Sequence, residues 1–265
     1  MCGRFLLTSP AQAIAEAFGV EPPVDLAPRW NIAPGQPVLA VRTGADGGRT
    51  LASLRWGLVP WWSNEVSRGA TLINARAETA ATTPAFRDAF RARRCLVPAT
   101  GFYEWRASPP PVDAREDTQQ ADLFPSPDED RAESPPRGRE YRLRGQRSSR
   151  AGPRQPFLIG LHDGAPFAFA GLWERWRPRA GEEPALESCA ILTTTPNDLV
   201  APIHDRMPVI LPRTDFARWL DLEVSDVDVL RSLLRPYPAQ EMRAEPVSTW
   251  VNDPRHDDAR CAEPL

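Results

Sequence analysis

Between Arg106 and Gln155 the chain carries eight prolines and few large apolar residues, and its charges are sorted by sign, acidic up to Pro136 and arginine-rich from Arg137 on. Such a stretch cannot bury enough apolar surface to offset the entropy of ordering it, so it reads as disordered. Both of its flanks read the opposite way. "CLVPATGFYEW" is apolar and aromatic, and "PFLIGL" is apolar, so each reads as a strand of a core. Two strands of one core on either side of an unpackable stretch make it an insertion within a domain, not a linker between two. The expected organisation is one domain over residues 1–252, interrupted at 106–155, with a polar C-terminal tail at 253–265. A chain of 265 residues, 42% of them hydrophobic, can fill one large core.

The remaining elements follow from pattern and punctuation. "TSPAQAIAEAFGV" predicts a helix, with Ser9 as cap, Pro10 in the first turn, Ile14 and Phe18 on one face and Gly19 at the end. "PVLAVR" and "TLASLRWGLVP" predict strands joined through "GADGG". Thr83-Pro84 opens a second predicted helix, and "TPNDL" a third. "PFLIGLHDGAPFAFAGLWERW" predicts a hairpin turning at Asp163-Gly164. "SCAILTTT" and "RMPVIL" read as strands, "TDFARWL" and "SDVDVLRSLL" as helices. Strands and helices do not alternate, so the expectation is an α+β domain with a mainly antiparallel, barrel-like sheet flanked by helices.

Composition excludes several classes. A net charge of −3 gives no global pull toward nucleic acid, so any such contact needs a local basic patch. Cys2, Cys95, Cys189 and Cys261 are widely spaced, against both a zinc site and a disulfide framework. No charged segment followed by an apolar run marks a signal peptide, and no apolar run approaches the ~18–20 residues of a membrane span. A soluble protein of a reducing compartment, located in the cytoplasm, is expected.

The chain opens "MCGRF". Initiator methionine is commonly removed before a small residue, which would leave Cys2 with a free α-amine beside its thiol. Reference pKa values of about 7.7–8.0 for the amine and about 8.5 for the thiol put both within reach of neutral pH. This 1,2-aminothiol can attack an acyl group through sulfur, or condense with an aldehyde to an imine that the thiol closes into a thiazolidine. A buried, inert cysteine reads equally well from position alone. The chain contains no lysine, so every basic residue in the charged count is arginine. The α-amine is therefore the one amine available for Schiff-base chemistry.

Further candidates lie in the interior segments. Of three histidines, His162 falls in the predicted hairpin and His256 in the tail, while His204 stands beside Asp205 and Arg206 in "PIHDRMPVIL". A histidine there can serve as general acid or base, or simply hold a backbone carbonyl. Glu104 sits among Phe102, Tyr103 and Trp105. Turned outward it is a solvated carboxylate; turned inward its pKa rises and it becomes a proton-transfer group. In "LINARAET", alternation puts Asn74, Arg76 and Glu78 on one face. In "WGLVPWW", Trp56, Trp61 and Trp62 surround a proline-bearing turn and could fill a core or stack on unpaired bases.

Taken in order, "MCGRF", "WNIAPGQ", "WGLVPWW", "NARAET", "RRCLVPATGFYEW", "AGLWE", "ILTTTPN" and "IHDRMPVIL" resemble the SOS-response-associated peptidase family, the abasic-site processing proteins. The resemblance runs from Cys2 to "VSTWVN" and omits the 106–155 insertion. It implies a DNA-repair protein that binds single-stranded DNA containing abasic sites and cross-links to the exposed aldehyde through Cys2 as a thiazolidine. It also implies lyase-like and cysteine peptidase (hydrolase) activity, the latter as autoproteolytic processing of the N-terminus. By the same resemblance Asn74 would orient the Cys2 amine, Glu104 would move protons, and His204 would assist opening of the sugar ring. Arg4 and Arg76 would bind phosphates, Trp62 would stack on a base, and Thr193 would contact the DNA backbone. No cofactor, metal or membrane is called for; a monomer, nucleoid-associated when on DNA, is expected.

Three rival readings remain. Glutamine amidotransferases of the N-terminal-nucleophile type also begin with Met-Cys-Gly, but their glutamine-binding Arg-Gly-Pro-Asp stretch is missing here. A non-covalent single-strand DNA-binding module would use Trp62, Arg4 and Arg76 and leave Cys2 silent. A cysteine peptidase acting through Cys2, Glu104 and His204 on external substrates would need no DNA.

Overall fold

The computed structural model describes residues 2–66, 72–107, 154–178 and 184–265. The part of the insertion read from sequence as disordered that spans residues 108–153 lies outside the described residues. Its two ends, however, are paired. Strand β7 (Gly101–Arg106) runs antiparallel to β8 (Gln155–Leu161), in register from Gly101 opposite Gly160 to Arg106 opposite Gln155. The hairpin expected around the insertion is therefore formed.

The protein is α+β, and its strands form two sheets. The first has the order β13-β8-β7-β1-β2, with β1 at Phe5–Leu7, β2 at Arg29–Ile32 and β13 at Met242–Pro246. The second is larger. Strands β3 (Pro37–Thr43), β4 (Arg49–Trp56), β6 (Arg94–Ala99), β9 (Phe167–Trp176) and β10 (Leu186–Thr194) pair in the sequence β10-β4-β3-β6-β9, and β9 pairs back to β10. This closes a ring, which satisfies the edges an open sheet would expose. The ring's contacts are antiparallel except β4 with β10, and the short β5 (Asn74–Arg76) also lies parallel to β10. Strands β11 (Met207–Pro208) and β12 (Ile210–Leu211) extend it.

Two sequence expectations change. "CLVPATGFYEW" is two strands, not one. β6 belongs to the ring and β7 to the first sheet, and the switch falls at Thr100, whose hydroxyl accepts from the main-chain N–H groups of Thr8 and Ser9. Likewise β8 and β9 turn at Gly164 but lie in different sheets, so no hairpin forms there. Local apolar pattern marks a strand but carries no information about which sheet receives it.

Both inner faces share one core. Phe5 of β1 meets Trp56 of β4 and Phe169 of β9 edge-on, at ring-centre distances of 5.2 and 5.6 Å, and Phe169 also meets Phe102 and Phe167. Each such fully buried aromatic contributes roughly 1.5–3 kcal/mol of transfer free energy. Helix α1 (Ala11–Phe18) buries Ile14 and Phe18, as its periodicity predicts, and ends at Gly19, whose φ of 64° needs no Cβ. Pro10 occupies the cap position, and the Ser9 hydroxyl bonds Thr100 instead of capping.

Helices α2 (Arg87–Ala92), α3 (Phe216–Leu220) and α4 (Val227–Ser232) are short. Residues 198–203 after "TP" form turns, not the third Thr-Pro helix expected; Asn197 Oδ1 accepts from Val200 N–H and ends the local pattern there. Arg94 is 1% exposed, and its guanidinium donates to the carbonyls of Phe90, Arg91, Trp219, Asp221 and Val224. The carbonyl ends of α2 and α3 thus hold a buried cation in place of a carboxylate.

The C-terminal residues pack onto β2. Asp257 Oδ1 accepts from the main-chain N–H groups of Trp30 and Asn31, and its Oδ2 accepts from Arg29 Nε. Buried Asn31 donates to the carbonyls of Val251, Asp253 and His256.

Candidate functional site

Cys2, Asn74, Glu104 and His204 come from four separate segments: Glu104 lies on β7 of the first sheet and Asn74 on β5 of the second, while Cys2 precedes β1 and His204 follows β10. Asn74 opens β5 opposite Ile191 of β10. Its Nδ2 donates a 2.7 Å bond to the carbonyl of Cys2. The amide oxygen, Oδ1, is buried and has no hydrogen-bond partner among the described residues. Cys2 itself is 0% exposed. Burial, then the negative charge of Glu104, push its thiol far above the usual range. A main-chain bond from Arg4 to the sulfur opposes this only in part.

Glu104 points inward. Strand alternation sends Tyr103 and Trp105 to the opposite face of β7, where the Tyr103 hydroxyl donates to the Trp30 carbonyl. Glu104 is 2% exposed, and burial pushes its carboxyl up to about 7 against the pull of the positive amino terminus. A carboxyl with that pKa exists in both protonation states at neutral pH, the property a proton-transfer group needs.

His204 lies 3.9 Å from it, Nε2 to Glu104 Oε2. The turns after β10 place it: His204 N–H donates to the Val200 carbonyl at 2.9 Å. On its far side, Nδ1 accepts from Arg206 N–H at 3.0 Å and stands 2.8 Å from Asp205 Oδ1. Burial and the amino-terminal charge lower the imidazole's pKa, and Asp205 raises it.

The residues expected to contact DNA are arranged less uniformly. Arg76 is exposed and lies two residues beyond Asn74 on β5. Trp62 is 39% exposed and Trp61 57%, both on the loop after β4, while Trp56 is core. Thr193 is 1% exposed; its carbonyl accepts from Arg206 Nη2 at 2.6 Å and its hydroxyl lies 3.4 Å from the same nitrogen. Arg4 is not brought to the group. It pairs with Tyr103 across the β1–β7 ladder, on the face turned away from Glu104, and its guanidinium donates to Asn31 Oδ1 and the Val251 carbonyl.

Sequence reasoning gave no role to Arg206 or Glu78. The two form a bidentate pair, at 2.7 and 2.9 Å, that ties the His204 loop to the chain just after β5. Nothing local signals a partner 128 residues away. Among the described residues no group of His, Cys, Asp and Glu could hold a metal ion, and no helix is long and apolar enough to cross a membrane.

The profile of the family described as SOS response associated peptidase (SRAP) matches residues 1–125 and 144–254. The chain belongs to this family. The unmatched gap in this SRAP chain falls inside the 106–155 insertion. Two relatives from Bacillus subtilis (strain 168) share its full length. Abasic site processing protein YoqW is 35% identical over 266 residues, covering 99% of each chain. Abasic site processing protein YoaM is 36% identical over 266 residues, covering 99% of the SRAP chain and 98% of its own length. A solved protein structure from Bacteroides thetaiotaomicron aligns with a TM-score of 0.74 at 22% identity over 100% of both chains, a likeness of fold.

Proposed function

We propose that this SRAP chain processes abasic sites in single-stranded DNA by covalent capture through Cys2. The observation that carries the reading is the Asn74 bond to the Cys2 carbonyl beside a buried carboxyl whose pKa is about 7. The names of the relatives YoqW and YoaM, abasic site processing proteins, supply the substrate class.

The chemistry starts with hydrolysis of the Met1–Cys2 bond, since an amide nitrogen cannot condense with an aldehyde. Self-processing by the same site accounts for this step. The freed amine adds to the aldehyde of the ring-opened deoxyribose, and the carbinolamine loses water to give an imine. The Cys2 thiol then adds to the imine carbon and nitrogen takes a proton, closing a thiazolidine. The elevated pKa of the thiol favours this order, amine first and sulfur second. Asn74 fixes the Cys2 backbone, Glu104 exchanges protons with the amine and the departing hydroxyl, and His204 protonates the sugar oxygen.

Arg76 and Trp62 are the surface groups suited to phosphate and base. Thr193 pairs with Arg76 across β10 and β5, and Arg4, engaged by Asn31 and the Val251 carbonyl, holds the segment between Cys2 and β1. Covalent trapping removes the need for a strongly basic surface, in keeping with the net charge of −3.

The test is a denaturing gel and intact mass of Met1-processed protein incubated with a single-stranded oligonucleotide bearing one abasic site. A heat-stable adduct, heavier by the oligonucleotide less one water and absent in Cys2→Ala, is expected. No adduct from protein with a verified free Cys2 would remove the reading.

A further inference from the structure

The His204 ring faces Glu104 with one nitrogen and Asp205 with the other, and side-chain exposure rises from Glu104 through His204 to Asp205: 3%, 26% and 87%. The steps are 3.9 Å from Glu104 Oε2 to His204 Nε2 and 2.8 Å from His204 Nδ1 to Asp205 Oδ1. The first exceeds a direct hydrogen bond and is of the length that tightens when a substrate fills an unliganded site. Nδ1 has a second neighbour, the Arg206 main-chain N–H at 3.0 Å. The ring therefore has a partner for either tautomer. With the proton on Nδ1 it donates to Asp205, leaving the Nε2 lone pair toward Glu104. With the proton on Nε2, Nδ1 accepts from Arg206.

We propose that Glu104, His204 and Asp205 form a proton relay that connects the buried reaction site to bulk solvent, with Asp205 acting through His204 as the outlet. The inference rests on the functional reading above and adds to it a route for a proton that the reaction must shed. An α-amine with a reference pKa of about 7.7–8.0 is mostly protonated at pH 7. Aminium, thiol and aldehyde together become thiazolidine, one water and one proton. That proton starts beside Glu104, which is 2% exposed and cannot hand it directly to solvent.

The relay moves it in one concerted step. Protonated Glu104 gives its proton to Nε2 as Nδ1 gives its own to Asp205, and the exposed Asp205 carboxyl passes it to water. The ring is left with its proton on Nε2 and Nδ1 bonded to Arg206. Reversal of the same step supplies a proton when the hydroxyl leaves. The Arg206 guanidinium is occupied by Glu78 and Thr193, so it braces the loop without competing for Asp205. The other charges acting on His204 are the amino terminus and Arg154, both of which disfavour the imidazolium. A neutral ring that exchanges tautomers is the form the relay requires.

Asp205→Asn tests this, because asparagine keeps the shape and the acceptor oxygen but cannot take up a proton. In dilute buffer at pH 7, adduct formation should slow roughly tenfold, less than the ~100-fold or more of a group acting directly on the reacting atoms, because Asp205 acts through His204. Added imidazole should restore the rate in Asp205→Asn but leave the wild type unchanged, and Asp205→Glu should retain most of it. Nitrogen-15 shifts of His204, read without DNA, should show two exchanging tautomers in the wild type and a balance moved toward the Nε2-protonated form in Asp205→Asn, whose neutral amide is the weaker acceptor. A wild-type rate in Asp205→Asn without buffer dependence, or an unchanged tautomer balance, overturns the relay. If the wild type forms no adduct, the functional reading falls and the nitrogen shifts still decide the relay on their own.

Discussion

Asn74 Nδ2 holds the carbonyl of Cys2 at 2.7 Å, across 72 residues of sequence. The bond ties the second residue of the chain to the first residue of β5 and sets where a freed Cys2 amine would sit. Asn74→Asp replaces the donor with a carboxylate that repels the same carbonyl. Losing one such bond costs about 1 kcal/mol, roughly fivefold in rate, and the repulsion adds to it. Adduct formation in Asn74→Asp, timed on a denaturing gel, should be at least that much slower while the melting temperature shifts little.

Glu104 makes stability depend on pH in a defined direction. Its folded pKa is raised from 4.5 to about 7, so the folded state binds more protons than the unfolded state between those values. The stability it contributes is present below about pH 4.5 and is lost as pH rises through 7. Glu104→Gln removes the buried charge, so its melting temperature should exceed that of the wild type at pH 8. The gap should close toward pH 5, with a limiting difference on the order of 3 kcal/mol. Equal pH dependence in the two proteins would mean that the carboxyl is not raised.

Asp257 satisfies two main-chain donors of β2 and the Arg29 side chain at once. Asp257→Ala leaves all three without that acceptor, and unfolding in urea should show a loss of about 1–3 kcal/mol. A change under 0.5 kcal/mol would show that solvent replaces the carboxylate at no cost.

Gly171 lies where β9 crosses β6. A methyl group there would come within 2.8 Å of Cys95 Sγ and 3.2 Å of Val97 Cγ2, both fully buried. Overpacking of this kind costs about 1–3 kcal/mol, so Gly171→Ala should melt several degrees lower. The double variant Gly171→Ala, Cys95→Ala should recover part of that loss, because removing the sulfur takes away the nearer of the two contacts.

The sequence alone marked most of the elements and the residues that are candidates for chemistry. The apolar pattern located β3, β4, β8 and β10, and the unpackable run at 106–155 marked an insertion whose ends, Arg106 and Gln155, are paired neighbours. Residue type marked Cys2, Asn74, Glu104 and His204 as separate candidates, each with an inert reading beside it, and the family resemblance joined them into one expected site. Only the tertiary structure decided which way they point and what they meet. A strand pattern is symmetric between its two faces until a second sheet covers one, so Glu104 inward and Arg4 away from it could not be read in advance. The same holds for partition into sheets, where Thr100 divides an apparently continuous strand. Pairs such as Glu78 with Arg206 and Asp257 with Asn31 span more than a hundred residues. Their attraction acts through space, and closing such loops leaves no local trace in the chain.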